Sequence, residues 1–505
     1  MPTEKELIAE RVRKLEELRK LGINPYPYTF VKTHLANEVT GKYGSLEADA
    51  KTADTVVCAG RIVGLRRMGG ASFGHILDET GRVQFYCKKD NLKEYDLLRL
   101  LDLGDFIGVS GKVFKTKTGE VTINVDNFTV LCKSIRPLPD KWHGLQDKEL
   151  RYRRRYLDFV MNPDVTKVFH TRAKIVRTIR EFLNNRGFME VETPVLQPLY
   201  GGTNAKPFTT HYNEYHAKVY MRVAPELYLK RLIVGGFGKV YELGRNFRNE
   251  GADHSHNPEF TMLEFYEVGA DYHVMMDTAE EIYKSIAKAL FGSYSFSHKD
   301  RAIDVSGKWP RVPMTEAIKQ HVKIDVDKLS MEELEKFVSQ HRLEVRGTPS
   351  KGIFINAIFD KLVTPKLEGP LWIIDYPKEI SPLAKPHRSK PGFVERFECY
   401  IGGMELGDGW SEINDPMDQR ERFEREQQAL RDGHTEAHPL DEDFIEALEH
   451  GMPTLGGIGI GIDRLTMFFT SQDTIRDVLL FPYMKPLTDA HTPPHLRVVP
   501  EEHQP

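Results

Sequence analysis

The sequence predicts an α+β protein in which a small N-terminal β-barrel precedes a larger antiparallel sheet flanked by helices. Two patterns predict this fold. Five short runs of strand type crowd into residues 51–135, and residues 161–486 combine β-runs with helices without the regular strand–helix alternation of a parallel sheet. A length of 505 residues, with 40% hydrophobic and 29% charged residues, is typical of a globular chain of two or three domains.

The first predicted element is an amphipathic helix that ends before Gly22. Its apolar residues, at helical spacing, are Leu7, Ile8, Val12, Leu15 and Leu18. Glu, Lys and Arg interrupt this stretch, so it lacks the continuous apolar core of a secretory signal, and the sequence contains no run suited to a membrane span. We therefore expect residues 1–50 to form a helix with a lead-in, and the protein to be cytoplasmic.

Residues 51–135 are predicted to form a five-stranded barrel such as the oligonucleotide-binding (OB) fold. The strand-type runs are TVVCAGRIVGLRR, ASFGHILD, GRVQFYCK, FIGVSGKVFKT and EVTINVDNFTVL, separated by turns that contain glycine. Phe73 and Gln84 lie on adjacent predicted strands, and the cations nearby are Arg66, Arg67, Lys88 and Lys89. A ring, an amide and cations are what single-stranded RNA recognition requires, although a buried Phe beside a solvated Gln is the simpler alternative.

A polar and basic linker is predicted at 136–160, where the arginines of RYRRRY, at 151–155, could meet an RNA backbone. The larger domain is predicted at 161–486, with a first helix that starts at Asn162 and Pro163 and runs to Gly187. Further helices are predicted at 278–290, 331–341 and 417–430. Strands dominate at 218–266. The tail at 487–505 is rich in Pro, His and Glu and is expected to be disordered.

Cysteine content and charge limit the classes of function. The four cysteines, at positions 58, 87, 132 and 399, are far apart and lack CxxC spacing, so we expect structural thiols. A net charge of −4 argues against a surface that is basic overall and binds polyanions without a defined site. Any nucleic acid must therefore meet local basic patches.

Two segments invite a nucleotide interpretation. GGIGIGIDR at 456–464 does not fit the Rossmann spacing, and the sequence contains no P-loop motif. Its glycines have two interpretations of about equal weight: close packing of another backbone against a strand, or the close approach of a ligand. FRNEGADHSHNPEFTMLEFYE at 247–267 combines many charges with aromatic rings. Strand alternation places Phe260, Met262, Glu264 and Tyr266 on one face. A surface hairpin with solvated charges is the alternative.

These segments resemble the class II aminoacyl-tRNA synthetases of subclass IIb, and within them the lysyl-tRNA synthetase family. GFMEVETPVLQP at 187–198 resembles motif 1, FRNEG with NPEFTMLEFY resembles motif 2, and GIGIDR at 459–464 resembles motif 3. The similarity extends from the opening helix to about Lys485 and includes GGTNAKPF, APELYLKRL and RDVLLFP. It implies a homodimer formed through motif 1, activation of L-lysine with ATP to lysyl-adenylate and pyrophosphate, and transfer of lysine to the 3′-terminal adenosine of tRNA(Lys).

The resemblance assigns the residues that bind ATP and Mg²⁺. Arg248 would bridge the α-phosphate and the lysine carboxylate, Arg464 would reach the γ-phosphate, and Phe260 would stack on adenine; the two arginines are the expected catalytic residues. The full ATP set is Arg248, Glu250, His256, Asn257, Phe260, Glu405, Gly461 and Arg464. Glu398 and Glu405 match the family's magnesium ligands, for up to three Mg²⁺ ions.

The resemblance also assigns lysine and the anticodon. Glu226 would hold the α-amino group, and Glu264, Tyr266 and Glu412 the ε-ammonium group. The full lysine set is Gly202, Glu226, Arg248, Glu264, Tyr266, Asp408, Trp410 and Glu412. Phe73 and Gln84 take the positions that recognise the central anticodon uridine, with Arg66 beside them.

Two positions depart from the family's pattern. The family usually has asparagine, then phenylalanine or tyrosine, where this chain has Asp408 and Trp410. Tryptophan can still pack the aliphatic stem of lysine and support a cation–π contact. Aspartate near a substrate carboxylate would repel it unless magnesium or a proton compensates, so we expect a shifted lysine pose or an extra metal contact.

Three alternatives stay open at the level of sequence. One is a related enzyme that lysylates a protein, although such relatives lack the anticodon barrel. Another is an aspartyl- or asparaginyl-tRNA synthetase, which Glu226, Glu264 and Glu412 disfavour. The third is a catalytically silent RNA-binding scaffold, against which the intact Arg248 and Arg464 argue.

Overall fold

A computed structural model describes residues 2–139, 145–251, 253–345, 347–431 and 439–486. The chain divides into two compact units, Met1–Gln146 and Asp147–Pro505, which are described separately. The tail predicted to be disordered, 487–505, lies outside the described residues. Over those same ranges, the helices are all too short or too polar to cross a membrane.

The first unit is a closed five-stranded barrel, as the sequence predicts. Its helices are α1 (Glu4–Lys20) and α2 (Ala36–Tyr43), and its strands are β1 (Lys51–Met68), β2 (Ala71–Leu77), β3 (Arg82–Lys88), β4 (Phe106–Lys115) and β5 (Val121–Cys132). The strands close in the order β1-β2-β3-β5-β4, and β3 pairs with β5 in parallel while the other pairs are antiparallel.

The barrel interior follows the two-residue period of its strands. Ser72, Gly74 and Ile76 of β2 are buried, whereas the residues between them face outward. Two of the four cysteines, Cys58 and Cys87, are buried in this core as free thiols, and the other two are also free. The predicted thiols are therefore confirmed.

Helix α1 covers the barrel with a narrower apolar face than predicted. Thr3 caps its start in a capping box with Glu6. Leu15 and Leu18 are buried, but Val12 is 41% exposed. Arg11, which the apolar pattern does not include, is buried and donates hydrogen bonds to carbonyl oxygens of residues 103, 134 and 136.

The second unit is built on an eight-stranded sheet that is mainly antiparallel. Its strands are β6 (Met189–Glu190), β7 (Leu196–Gln197), β8 (Thr209–Tyr212), β9 (Ala217–Met221), β10 (Lys239–Phe247), β11 (Glu259–Val268), β12 (Ser295–His298), β13 (Arg301–Asp304), β14 (Arg311–Pro313), β15 (Leu371–Pro377), β16 (Phe393–Ile401), β17 (Met404–Ser411) and β18 (Leu455–Gly461). The main sheet has the order β14-β15-β16-β17-β18-β11-β10-β6. Only its two edge pairs, β14 with β15 and β10 with β6, are parallel. The predicted α+β class with an antiparallel sheet is confirmed.

The helices of the second unit are α3 (Lys148–Arg153), α4 (Arg155–Met161), α5 (Val165–Asn185), α6 (Glu226–Val234), α7 (Tyr272–Phe291), α8 (Met314–Val322), α9 (Met331–Gln340), α10 (Lys351–Leu362), α11 (Pro416–Arg431), α12 (Glu442–Glu449), α13 (Ile462–Phe469) and α14 (Ile475–Val478). Helices α5, α7 and α13 pack on one face of the sheet around Ile179, Tyr283 and Phe468. The helices predicted at 278–290, 331–341 and 417–430 are confirmed as α7, α9 and α11. The first predicted helix starts later, at Val165 after Asp164.

The sequence predicts that the arginines at 151–155 could meet an RNA backbone, and for Arg155 this expectation is wrong. This segment folds into α3 and α4, and Arg155 is only 1% exposed. Arg155 forms an ion pair with Asp158 and donates hydrogen bonds to the carbonyl oxygens of residues 476, 479 and 480. Its planar guanidinium satisfies several buried acceptors at once, which a local sequence pattern does not reveal.

Candidate active site

Strand β11 carries the polar face of the site. Leu263 and Phe265 enter the hydrophobic core, whereas Phe260, Met262, Glu264 and Tyr266 lie on the opposite face, as the alternation predicts. Neighbouring strands β10 and β18 pair with β11 along its length. A rigid sheet centre therefore fixes these side chains.

The glycines of β18 make room for side chains of the neighbouring strands. A Cβ atom built on Gly457 would lie 2.2 Å from Glu412 Oε1 and 2.5 Å from the Tyr266 ring, and one built on Gly459 would lie 2.3 Å from Met262 Cε. Side chains other than glycine would therefore displace the residues of the site. The sequence left two interpretations of these glycines open, close packing and the approach of a ligand. Both apply, because Gly459 also lines the cleft described next.

A cleft opens over the end of β11 and the start of α13. The residues that line it include Arg248, Glu250, His256, Asn257, Phe260, Glu405, Asp408, Gly461 and Arg464. The Arg248 guanidinium lies over the Phe260 ring at 5.0 Å from its centroid. Among the described residues, Arg248 Nε has no hydrogen-bond partner. Burial lowers the pKa of Arg248 and nearby acids oppose this shift, so it remains a cation with an unused donor.

The second arginine of the cleft is held at the start of α13. Arg464 Nη2 donates to His256 Nε2 at 3.2 Å, and Arg464 Nη1 lies 3.4 Å from Glu405 Oε2. Beside it, Asp463 accepts a hydrogen bond from the backbone N–H of Thr261 and forms a 2.6 Å ion pair with Arg172. These contacts fix the helix start against β11.

Glu405 on β17 lines the cleft, and Glu398 on the neighbouring strand β16 pairs in register with the cleft residue Asp408. Glu398 is buried, accepts from the Tyr400 hydroxyl at 2.7 Å and pairs with Arg396 at 2.8 Å. Burial raises the pKa of Glu398; Arg396 opposes this shift and Glu405 adds to it. A cation near these two carboxylates would favour their ionised forms.

Asp408 lies among arginines. Its Oδ2 is 3.8 Å from Arg396 Nη2. Burial raises the pKa of Asp408, whereas Arg396, Arg248 and Arg464 oppose the shift. The sequence prediction considered magnesium or a proton as compensation for Asp408. The structure adds a third source of compensation, the charge of the surrounding arginines.

A separate cluster of buried acidic side chains, called the acidic pocket below, lies between α6, β11 and the end of β17. Lys230 Nζ is 2.5 Å from Glu226 Oε1 and 2.5 Å from Glu412 Oε2, and the exposures of the three side chains are 1%, 4% and 1%. Trp410 Nε1 donates to the same Glu412 oxygen at 2.7 Å. Glu412 Oε1 is buried and has no hydrogen-bond partner within the described ranges. The pocket therefore presents a free carboxylate oxygen.

Burial controls protonation in this pocket. It raises the pKa of Glu412 to about 8, with Lys230 opposing the shift and Glu226 adding to it. Burial also raises the pKa of Glu226 against the opposing charge of Lys230, and raises that of Glu264, which accepts from the Tyr266 hydroxyl at 3.0 Å. Gly202 lies against Glu226: a Cβ atom on this residue, whose φ is +96°, would be 3.1 Å from Glu226 Cβ.

The barrel of the first unit carries a separate aromatic face. The Phe73 and Tyr86 rings lie 4.6 Å apart, and Tyr86 and Phe114 lie 6.0 Å apart. Arg66 is the cross-strand partner of Phe73 and shares a surface depression with it. Arg67 does not belong to this face, because it donates hydrogen bonds to the carbonyl oxygens of Leu98 and Leu101.

Gln84 is fixed on the same face by its neighbours. Its Nε2 donates to Glu120 Oε2 at 2.6 Å, and its Oε1 accepts from Thr122 Oγ1 at 2.7 Å. His75 Nε2 lies 2.6 Å from the other oxygen of Glu120. Both ends of the Gln84 amide are therefore engaged by neighbours in the barrel, and the residue is buried.

Comparison with known proteins matches both units. The model of the family described as tRNA synthetases class II (D, K and N) matches residues 147–485, and that of the OB-fold nucleic acid binding domain matches residues 56–131. A lysine–tRNA ligase of Moorella thermoacetica is 48% identical over 489 residues, which cover 96% of this chain and 99% of that protein. The chain belongs to the lysine–tRNA ligase family of class II tRNA synthetases.

Other members of the lysine–tRNA ligase family are similar over the same extent. The protein of Pelotomaculum thermopropionicum is 49% identical over 486 residues, 95% of each chain. That of Thermotoga maritima is 46% identical over 486 residues, 95% of this chain and 96% of its own. The predicted membership of this family is therefore confirmed, including the OB-fold barrel.

For a lysine–tRNA ligase, the structure gathers the predicted residues into three groups. The eight residues assigned to ATP line the cleft, together with Asp408. Glu226, Glu264, Tyr266, Trp410 and Glu412 surround the acidic pocket, with Gly202 against Glu226. Phe73, Gln84 and Arg66 share the barrel face. Their roles stay predictions.

Sequence reasoning missed three charged residues of this lysine–tRNA ligase site. Arg396 lies two residues before Glu398 on the same strand, and Asp463 lies directly before Arg464, so both were in recognised segments. Lys230 lies four residues after Glu226, the spacing of a helical ion pair. Such pairs are usually solvated, and nothing local shows that this one is buried.

Proposed function

We propose that the chain is an enzyme that activates L-lysine with ATP to form lysyl-adenylate and pyrophosphate, and then transfers lysine to the 3′-terminal adenosine of tRNA(Lys). One observation carries this proposal: strand β11 links the acidic pocket to the arginine-bearing cleft, because it contributes Glu264 to the pocket and Phe260 to the cleft. Three buried acids require cationic partners, and a free amino acid with two ammonium groups supplies them.

The first step requires positioning more than side-chain chemistry. The lysine carboxylate attacks the α-phosphorus of ATP, a new P–O bond forms and pyrophosphate leaves with the broken P–O bond. Arg248 would neutralise the α-phosphate and orient the carboxylate, and Arg464, braced by His256, would hold the γ-phosphate. The ring of Phe260 offers a platform for adenine.

Glu398 and Glu405 fit a Mg²⁺ ion that arrives with ATP. Within the ranges that the structure describes, three metal-binding side chains do not cluster anywhere, so the protein lacks a complete cage there. Mg²⁺ characteristically uses one or two carboxylates together with phosphate oxygens and water. When bound, it would neutralise phosphate charge. Buried Glu398, which is only partly compensated by Arg396, would then hold its charge at lower cost.

Lysine would be recognised at both ends. Glu226 would accept the α-amino group, with the backbone of Gly202 beside it. The free Oε1 of Glu412, with Glu264 and Tyr266, would accept the ε-ammonium group. The Trp410 ring would pack the apolar stem while its indole N–H holds Glu412.

The transfer step requires the RNA to be recognised elsewhere. The barrel face would take the central anticodon uridine, stacked on Phe73 and hydrogen-bonded by Gln84, with Arg66 on the phosphates. Because Glu120 and Thr122 fix the amide of Gln84, its remaining hydrogen-bonding positions have defined directions. We place the enzyme in the cytoplasm and as a homodimer through residues 187–198.

ATP–pyrophosphate exchange measured with each of the twenty amino acids tests the function. Lysine alone should support exchange, because a neutral side chain would leave Glu412 uncompensated and an acidic one would be repelled. Exchange with aspartate or asparagine would indicate those related specificities, and its absence with every amino acid would indicate a silent scaffold. Lysine-dependent exchange without charging of tRNA would indicate a protein-lysylating enzyme.

A further inference from the structure

Lys230 is a buried cation inside the acidic pocket, yet neither step of the proposed reaction uses it. It lies one helical turn after Glu226 on α6 and touches Glu226 and Glu412 at the same distance of 2.5 Å. These two acids are the proposed partners of opposite ends of the substrate. One side chain thus joins both ends of the binding site.

We propose that Lys230 is a positioning residue for the amino acid: its ammonium group stands between Glu226 and Glu412, fixes their spacing and leaves a net charge that two substrate ammonium groups balance. This inference rests on the proposed function and deepens it. Lys230 would not touch the reacting atoms.

The charge count supports this role. The pocket contains three carboxylates, on Glu226, Glu264 and Glu412, and the single ammonium of Lys230 leaves two negative charges when all are ionised. The charged residues next to them have partners of their own, since Arg222 pairs with Glu242 and Asp408 lies 3.8 Å from Arg396. Lysine supplies two ammonium groups, while its carboxylate is assigned to Arg248. Without Lys230, three buried carboxylates would face two cations, and one would remain uncompensated or would bind a proton.

The hydrogen bonds of Glu412 show how Lys230 directs the substrate. Lys230 and Trp410 both occupy Oε2 of Glu412, at 2.5 Å and 2.7 Å. Oε1 is left buried and without a partner in the described parts of the chain. A buried acceptor without a donor is costly, so the site favours a ligand that donates there. The pair of donors on one oxygen thereby reserves the other for the substrate.

Protonation of Glu412 in the acidic pocket should respond to the binding of lysine. One ammonium cannot compensate two buried carboxylates fully, and burial raises the pKa of Glu412 to about 8 although Lys230 opposes that shift. Burial therefore favours a proton on Glu412, and the ammonium group of lysine would displace it. Among the charged and titratable groups of the surrounding elements, Glu226 faces both Lys230 and Glu412, and Tyr266 faces Glu412. Glu264 and Asp408 face Glu226 instead.

The Michaelis constant for lysine should depend on pH through Glu412. Because lysine binds to the ionised form of Glu412, this constant should fall as pH rises from 6 towards 8. In Lys230→Met the compensating cation is lost, so the pKa of Glu412 should rise further and the falling limb should move to higher pH. At pH 7 the Michaelis constant for lysine should increase by about tenfold or more, while that for ATP should change by less than about twofold.

The test uses the full-length enzyme in lysine-dependent ATP–pyrophosphate exchange from pH 6 to 9. Lys230→Arg keeps the charge and should restore much of the affinity and the position of the limb. Lys284→Met is the matched control, because Lys284 forms a 2.6 Å ion pair with Glu280 at the same helical spacing but on α7, outside the pocket. It should leave both Michaelis constants unchanged.

Proton release provides a second measurement. Calorimetric titration with lysine at pH 7, in two buffers of different ionisation enthalpy, should show proton release by the unmodified enzyme and greater release by folded Lys230→Met, whose Glu412 has lost its compensating cation. Equal release by the two proteins, or an unshifted limb in Lys230→Met, would overturn the role of Lys230. Absence of lysine-dependent exchange in the unmodified enzyme would instead refute the proposed function itself.

Discussion

At the scale of single residues, Asp408 and Trp410 act on different charges of the site. Trp410 keeps an aromatic wall and adds a donor to Glu412, which a phenylalanine ring lacks. Asp408 adds a negative charge near the cleft, and Arg396 lies 3.8 Å from it. The indole N–H of Trp410 therefore gains a hydrogen-bond partner within the site. The added charge of Asp408 depends on the surrounding arginines for compensation.

Replacing Asp408 tests whether its charge affects the substrates. Asp408→Asn removes a carboxylate that would repel the carboxylate of lysine or attract an extra metal ion. The Michaelis constant for lysine, ATP or magnesium should change by about fivefold or more in steady-state exchange assays. Asp304→Asn, on the exposed strand β13, is the control. If all three constants stay the same in Asp408→Asn, the hypothesis of a shifted pose or extra metal contact is wrong.

Residue identities were predictable where a recognised motif contained them, and not where burial decided the role. Glu226 and Glu412 were assigned by resemblance, but Lys230 between them was not. Its spacing from Glu226 is also that of Lys284 from Glu280, so sequence alone does not distinguish the pocket pair from the other. Glu412 lies 182 positions after Lys230, and the packing of α6 near the end of β17 brings the two side chains into contact.

At the scale of elements, the strands were predictable because their period is short. The five strand-type runs of the barrel and the two faces of β11 follow directly from alternation. Helices α3 and α4 were missed because prolines and a run of arginines suggested a solvated linker. Buried Arg155 instead saturates carbonyl oxygens far along the chain, which is a tertiary effect.

The barrel face makes a prediction about one step of the reaction only. Phe73→Ala removes the proposed stacking surface, so aminoacylation of tRNA should weaken by about 1–3 kcal/mol, or roughly tenfold to a hundredfold in kcat/KM for tRNA. Adenylate formation, measured by pyrophosphate exchange, should not change. Phe73→Trp, which keeps a ring, should retain charging. Equal losses of both activities in Phe73→Ala would contradict the assignment.

At the scale of the whole molecule, the two proposed binding surfaces carry opposite charges. The net charge of −4 hides a barrel face with several cations, among them Arg66, Arg82, Lys88 and Lys112, and a pocket with an excess of buried acid. Each unit therefore presents the charge that suits its proposed ligand, an RNA strand or a diamino acid. Overall composition could not have shown this, because the opposite charges cancel in the sum.

The proposed homodimer rests on residues 187–198, where large apolar side chains are exposed. Met189 is 55%, Val195 40% and Leu196 55% exposed, although this segment belongs to a well-packed unit. Exposed apolar side chains close together in a chain segment are typical of a surface that another chain covers. A second copy is the partner that the resemblance to motif 1 implies.

Leu196→Asp should shift the protein from dimer to monomer in sedimentation or light-scattering measurements, because a buried, unpaired carboxylate at an interface is costly. Met331→Asp, which changes an exposed apolar residue at the start of α9, is the control and should leave the mass unchanged. Edge strand β6 lies next to β10 in the sheet that carries the site. Loss of the dimer should therefore also lower lysine-dependent exchange, and a fully active monomer would show that the site does not need its partner.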